Sequence, residues 1–342
     1  MPVARTLTLL LSFLFFCVAN AQDAETSAQP AVLITGASSG IGKLTTEVLA
    51  RSGTFVYAGA RKQVDIDALN ALDNVEAVRL DVTKDDEIAA AVEQVRRGGR
   101  GLHAVVNNAG VAVLGPLVEI PQSDLDLTLN VNVLGPWRIT KAFLPLLLES
   151  KGRVINISSV SGIQANMLFG TYSMSKHALE AYNDVLELEL APFGIKVIAV
   201  EPGAFNSSMG RNAIAVMEER GLSVENSIYQ NIPWDVISST MKSERLGGRV
   251  GEEWPDPDAV ALAVQDALFN ESPKAHYMVT SSQSVSELTV RKAIEELVRY
   301  NEGHEFTFSR DDLVQMLDEE LSGARNASDL TRFGDGDELS QQ

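Results

Sequence analysis

Cysteine is almost absent from this chain. Its 342 residues include one, Cys17, inside an N-terminal apolar run, so a chain cut after that run has no disulfide, no thiol nucleophile and no cysteine-ligated metal. Histidine is nearly as scarce. His103, His177, His276 and His304 are scattered without metal-ligand spacing; they read as structural or surface residues, and no metal is expected. Basic charge is also short. With 28 Lys and Arg against 46 Asp and Glu the formal charge is -18, which excludes the basic face that nucleic-acid phosphates require. The acidity reads as solubility.

Long apolar runs are missing except for residues 7–19, which follow Arg5 and lead into Ala19-Asn20-Ala21. That is the pattern of a secretory signal peptide, and it falls short of the roughly 20 residues a membrane span needs. Residues 1–21 are read as a cleaved signal or, alternatively, as an uncleaved anchor tying the protein to a membrane; a buried helix is the third reading. Either of the first two places the protein in exported space, a periplasm or an ER lumen. Residues 22–30 are a polar, alanine-rich linker. Sequons begin at Asn156, Asn206, Asn270 and Asn326, but Asn156 sits in a strand pattern where a glycan would not fit.

What is present is an alternation. At 45% hydrophobic the chain can bury a substantial core. From residue 31 onward short apolar runs and helical patterns follow one another, the signature of a parallel sheet covered by helices on both faces. Strands are expected at 31–35, 54–59, 75–80, 102–106, 153–157, 195–200 and 277–280. Helices are expected at 41–52, 85–97, 122–149, 171–192 and 283–300. The fold class is therefore α/β: a doubly wound, Rossmann-type parallel sheet of about seven strands with a helical insertion. That insertion, about 204–250, mixes Met209, Ile214, Met217, Ile228, Tyr229, Ile232, Trp234 and Met241 with polar residues, as a substrate lid would. A helical subdomain that touches no substrate is the competing reading. The catalytic domain is expected over 31–300, and an acidic tail over 301–342, frayed or disordered from Arg310 onward.

Three features carry chemistry. Tyr172 and Lys176 are four positions apart, so both project from one helical face. A phenol titrates near pH 10 and transfers protons poorly at neutral pH, and a neighbouring ammonium group favours its anion. Ser159, 13 residues before the tyrosine, could hold a carbonyl oxygen beside that phenol. The turn Thr35-Gly36-Ala37-Ser38-Ser39-Gly40-Ile41-Gly42 opens a helix after the first strand, and its glycines let the backbone approach a pyrophosphate. Together these are the parts of a hydride-transfer site.

Over roughly residues 30–283 the chain resembles the short-chain dehydrogenase/reductases, on Gly36-x-x-x-Gly40-x-Gly42, Asp81, Asn107-Asn108-Ala109-Gly110, Asn132, Ser159, Tyr172-x-x-x-Lys176 and Pro202-Gly203. The flavour is that of hydroxysteroid and retinol-type dehydrogenases. The resemblance implies a catalytic set of Asn132, Ser159, Tyr172 and Lys176, with Asn130 and Ser158 as rivals for the first two. Tyr172 would be the acid or base, Lys176 its pKa partner and ribose ligand, Ser159 the oxyanion donor, and Asn132 the holder of a relay water. It also implies a dinucleotide on Gly36, Ser38, Ser39, Gly40, Ile41 and Gly42, with Asp81 and Val82 at the adenine. Asn108, Ala109 and Gly110 would lie along the coenzyme, partly as architecture. Pro202, Gly203 and Ser207 would meet the nicotinamide, Ser207 standing where the family places threonine. At the end of the second strand NAD-preferring relatives carry aspartate. This chain has Ala60, then Arg61 and Lys62, which favours NADP over NAD. Arg61 could instead be a solvated surface residue, and Asp81 a helix cap. The expected activity is NADP(H)-dependent oxidoreduction of a carbonyl or secondary alcohol on a small hydrophobic molecule, by a homodimer or homotetramer. A catalytically silent dinucleotide-binding scaffold is the alternative.

Overall fold

The computed structural model describes residues 31–206, 209, 227 and 255–322. Seven parallel strands form one sheet in the order β3-β2-β1-β4-β5-β6-β7. They are β1 Ala31–Ile34, β2 Val56–Ala60, β3 Val75–Arg79, β4 Leu102–Asn107, β5 Arg153–Ile157, β6 Lys196–Pro202 and β7 His276–Val279. The helices are α1 Gly40–Arg51, α2 Gln63–Asn70, α3 Asp85–Gly98, α4 Gln122–Asn132, α5 Leu134–Ser150, α6 Gly170–Leu190, α7 Asp258–Phe269, α8 Gln283–Glu302 and α9 Arg310–Ser322.

The strands are apolar without a break because both faces of the sheet are covered. Successive side chains point to opposite faces. Val32 and Ile34 of β1 share a core with Leu49 of α1 and with Val260 and Val264 of α7. Ala31 and Leu33 point the other way, toward Ile139 and Phe143 of α5 and Ile88 and Val95 of α3. Each such aliphatic side chain removed from water stabilises the fold by roughly 1.5–3 kcal/mol. The strand order reverses between β1 and β4, and in open α/β sheets ligands bind in the crevice outside the carboxyl ends at that point. The glycine turn follows β1 and Asn107 to Gly110 follow β4, so both flank the crevice.

Three expectations change. The single helix expected over 122–149 is two, α4 and α5, meeting at Val133. Pro136 is the cause: it has no N–H to offer the Asn132 carbonyl, and its ring crowds that carbonyl. Helix α2 was not foreseen, because eight residues give too few turns for a period to show. The tail is helical over Arg310–Ser322, where fraying was expected; Leu313, Leu317 and Leu321 are spaced four apart, one turn of an α-helix.

The chain divides into two compact units, one ending at Ser286 and one beginning at Glu287, so the expected domain end at 300 falls inside the second. That second unit holds most of α8, laced by Lys292–Glu296 and Arg299–Glu295 ion pairs, and α9. The leader, the linker, Ser207 and the expected lid apart from 204–206, 209 and 227 lie outside the described residues. Among the described residues no helix is long and apolar enough to cross a membrane.

Candidate active site

The glycine turn is built for close approach. Gly36 has φ +66° and Gly40 φ +54°, in the left-handed region that favours glycine. A Cβ on Gly42 would lie 2.3 Å from Asn108 Nδ2 and 2.5 Å from the Gly36 carbonyl oxygen. Asn108 buttresses the turn, donating from Nδ2 to the carbonyls of Thr35 at 2.8 Å and Gly36 at 3.1 Å. The Thr35 hydroxyl accepts from the backbone N–H groups of Asn108 and Ala109, both at 3.0 Å. These bonds lock the end of β1 to the end of β4 and aim the first turn of α1 at the crevice. Its N–H groups, with no intrahelical acceptor, form an anion site, so the residues fit a dinucleotide pyrophosphate. Ser38 and Ser39 lie on the rim of the turn, Ser39 as N-cap, while Ile41 packs against the core.

At the end of β2 the Arg61 guanidinium stands exposed, its Nη1 3.9 Å from Asp81 Oδ2. Asp81 Oδ1 accepts from the Thr83 backbone at 2.9 Å and the Thr83 hydroxyl at 2.7 Å. Burial works to raise the Asp81 carboxyl, but these bonds and the charges of Arg61 and Lys84 outweigh it and hold it below its ordinary value. Asp81 thus closes its own turn, leaving Oδ2 toward the arginine. Val82 is buried against the α4–α5 junction, where a Cβ on Gly135 would lie 2.8 Å from it. Arg79, which the sequence did not single out, donates to the Arg61 carbonyl at 2.6 Å and places a second guanidinium at this edge.

Three of the four catalytic candidates, Ser159, Tyr172 and Lys176, meet at the carboxyl ends of β5 and β6. Ser159, two residues past β5, caps a short turn, accepting from the Ser161 N–H at 3.1 Å and donating to the Pro202 carbonyl at 3.3 Å. Its hydroxyl faces the Tyr172 phenol and works to lower the phenol's pKa. Ser158, its rival, is buried on the other side of the chain, because neighbours on an extended strand point oppositely. Lys176 is 4% exposed; its Nζ donates to the Ile157 carbonyl at 2.8 Å and lies 5.5 Å from the Tyr172 ring centroid. Gly203 donates to the Val279 carbonyl at 2.7 Å, fixing the end of β6 against β7.

Electrostatics departs from expectation. Burial pushes the Tyr172 phenol up to about 12, offset only in part by Ser159. The Lys176 ammonium group, 5.5 Å from the ring centroid, is held by its bond to the Ile157 carbonyl. Burial pushes Lys176 down to about 8, against the pull of Glu180. The Asn132 side chain is also differently engaged from what was expected. Its Oδ1 accepts from the Val111 N–H at 2.8 Å, and its Nδ2 donates to the Val111 carbonyl at 2.8 Å and to Ser175 Oγ at 2.9 Å. The side chain is a brace between α4, α6 and the irregular segment after β4.

A family model described as short chain dehydrogenase matches residues 30–217. The chain belongs to the short-chain dehydrogenase family. As a member it is an oxidoreductase that acts on CH–OH groups with NAD(P) as acceptor. The chain is 34% identical over 264 residues to the mitochondrial D-beta-hydroxybutyrate dehydrogenase of Bos taurus, covering 72% of this chain and 76% of that one. It is 40% identical over 183 residues to retinol dehydrogenase 7 of Rattus norvegicus, where the match spans 52% of this chain and only 57% of the relative. Among solved structures, a short-chain dehydrogenase from Streptomyces avermitilis superposes with TM-score 0.65 at 31% identity, over 81% of this chain and 99% of that one. An actinorhodin polyketide ketoreductase solved with NADPH superposes with TM-score 0.63 at 28% identity, over 76% and 98%.

Sequence reasoning about this short-chain dehydrogenase missed one group of residues. Glu180, Glu201 and His276 each bring one side-chain atom within 4.8 Å of the others, immediately behind Lys176. His276 Nδ1 bonds Glu201 Oε1 at 2.6 Å, lies 3.8 Å from Glu180 Oε2, and its Nε2 lies 3.6 Å from Asp184 Oδ1. The other expectation for histidine holds at His103, which bonds the Leu268 carbonyl and stacks on Phe269. Asn156 is fully buried, bonding Asn107 and Asn183, so the sequon there has no room for a glycan.

Proposed function

We propose that the chain is an NADP(H)-dependent oxidoreductase whose substrate is a hydrophobic carbonyl compound or the matching secondary alcohol. The observation that carries this reading is the buried Tyr172 phenol beside Ser159, with the Lys176 ammonium group 5.5 Å from the tyrosine ring. Bound in the crevice, the coenzyme supplies or accepts the hydride. Ser159 and Tyr172 together hold the substrate oxygen, Ser159 by donating to it as charge develops. Tyr172 gives that oxygen its proton in reduction and takes it back in oxidation. With its pKa pushed up to about 12, the phenol is protonated at neutral pH, which is the state that reduction uses.

The preference for NADP is supported by exposed Arg61, with Ala60 where a carboxylate would repel a 2′-phosphate. The hydrophobic substrate is supported by Leu117, Val118 and Met167, all exposed. Their segments run together into α6: Gly115 donates to the Leu168 carbonyl at 3.0 Å, and Thr171 to the Val113 carbonyl at 3.2 Å. Self-association is supported by apolar side chains left exposed on α5 and α6, among them Trp137, Leu148, Val185 and Leu188. The N-terminal apolar run supports export, with the same segment able to serve as a membrane anchor.

The test is NADPH oxidation with a panel of apolar ketones, run on the parent and on Tyr172→Phe. Turnover is expected to fall by about 100- to 10,000-fold, with coenzyme affinity nearly unchanged. Undiminished turnover in the variant refutes the reading. Tight coenzyme binding with no turnover in the parent favours the silent scaffold.

A further inference from the structure

Behind the catalytic tyrosine and lysine is a second set of ionisable side chains that the chemistry above does not use. Glu180 is one helical turn beyond Lys176 on α6, with its side chain 15% exposed. It lies under the turn that carries Ser159. A Cβ on Gly162 would meet Glu180 Cγ at 2.7 Å and Oε1 at 2.8 Å, so a side chain there would displace the carboxylate. Charged and polar groups reach it from every packed element. Lys176 and Asp184 are on its own helix, His276 comes from β7, Glu201 from β6, and the Ser158 hydroxyl from the end of β5. Glu201, with a side chain 6% exposed, is held by His276 at 2.6 Å. Its chain neighbour Pro202 supplies the carbonyl that receives the Ser159 hydroxyl.

We propose that Glu180, paired with His276, is a positioning residue that keeps Lys176 charged and so sets the upper pH limit of turnover. The proposal rests on the Tyr172–Lys176 reading above. Lys176 is buried, so its ammonium group needs a compensating negative charge. The nearest source on the helix is Glu180, and that carboxylate is itself buried. Burial, with Glu201 and Asp184 nearby, pushes the Glu180 carboxyl up to about 7, and Ser158 and His276 keep it from rising further, so above neutral pH it carries its charge. The sequence of influence is His276 on Glu180, then Glu180 on Lys176.

The sign follows. Removing the Glu180 charge lowers the pH at which Lys176 loses its proton. Removing His276 favours protonated Glu180 and acts in the same direction, more weakly. The experiment is a lysine-selective NMR titration of Lys176 in the coenzyme-free protein, beside the pH profile of NADPH-dependent reduction. In Glu180→Gln the Lys176 midpoint and the basic limb of the profile are expected to move down by about one pH unit. In Glu180→Asp, which keeps the charge, both should stay near the parent values. If Glu180→Gln does not fold, His276→Gln leaves α6 intact and should move the midpoint in the same direction by less. An unmoved midpoint in whichever of the two folds overturns the proposal. An equal loss of turnover at every pH in both glutamate variants, with no shift, also overturns it, because that is the result of lost packing alone. Neither outcome touches the parent reading, which stands or falls on Tyr172→Phe.

Discussion

Replacing Gly42 by alanine tests the coenzyme cradle most directly. In an ordinary helix the change would stabilise by about 1 kcal/mol, because alanine gives up less backbone freedom on folding. Here the new Cβ would lie 2.3 Å from Asn108 Nδ2 and 2.5 Å from the Gly36 carbonyl oxygen, distances at which something must move. Asn108 can swing away, but only by giving up its bonds to Thr35 and Gly36, each contributing about 1 kcal/mol. The Gly36 carbonyl is backbone, and moving it shifts the whole turn at an overpacking cost of roughly 1–3 kcal/mol. After the helix gain is subtracted, Gly42→Ala should destabilise by roughly 2–4 kcal/mol. Urea unfolding at fixed protein concentration reads this as a lower midpoint at unchanged slope. A fluorescence titration should show NADPH binding at least about tenfold weaker, as expected when an anion-binding turn is displaced. Gly101→Ala is the control: φ is +71° but nothing lies within 4 Å, so only a left-handed backbone cost of about 1–2 kcal/mol applies, with no effect on the coenzyme. In an Asn108→Ala background the added cost of Gly42→Ala should shrink, because one of its two obstacles is gone. A Gly42→Ala protein more stable than the parent, with unchanged coenzyme affinity, refutes the packing of this turn.

Three further outcomes follow from the geometry. Arg61→Ala should weaken NADPH binding about 10- to 100-fold while leaving NADH binding nearly unchanged, the loss of one charge-assisted hydrogen bond; equal effects on the two coenzymes would return Arg61 to the solvated surface. Asn132→Ala leaves the Val111 N–H and carbonyl without their partner and should cost roughly 2–4 kcal/mol of stability by urea unfolding; lost turnover at full stability would mean that the amide serves the chemistry itself. His276 is raised in the folded protein from 6.5 to about 9, chiefly by its bond to Glu201. Its contribution is therefore complete below pH 6.5 and lost as the pH climbs through 9. Because the side chain is 43% exposed, solvent screening reduces it to about 1 kcal/mol. His276→Gln should be less stable than the parent below pH 6.5 and match it above 9, and a constant gap at all pH would contradict this.

The residues legible in the sequence are those whose partners lie close along the chain. Tyr172 and Lys176 face one way because four residues make one helical turn, and the glycine turn announces itself within eight residues. The strands were legible because two covered faces leave no polar alternation. What stayed hidden is non-local. Glu180, Glu201 and His276 meet only because β7 pairs with β6, with Ala199 opposite His276, and because α6 lies across both. No periodicity in one segment encodes that meeting, and a lone histidine in a strand pattern reads as structure. The role of Asn132 was half legible: its place was right, yet Val111, an unremarkable valine, is what occupies its amide. The choice between Ser158 and Ser159 joins the two categories. One peptide step turns Ser159 toward the phenol and Ser158 toward Glu180. The segment after β5 therefore faces the Tyr172 phenol on one side and the buried Glu180 carboxylate on the other. A shift of that segment would disturb both together, which is why the charge state behind Lys176 and the geometry in front of it should respond as one unit.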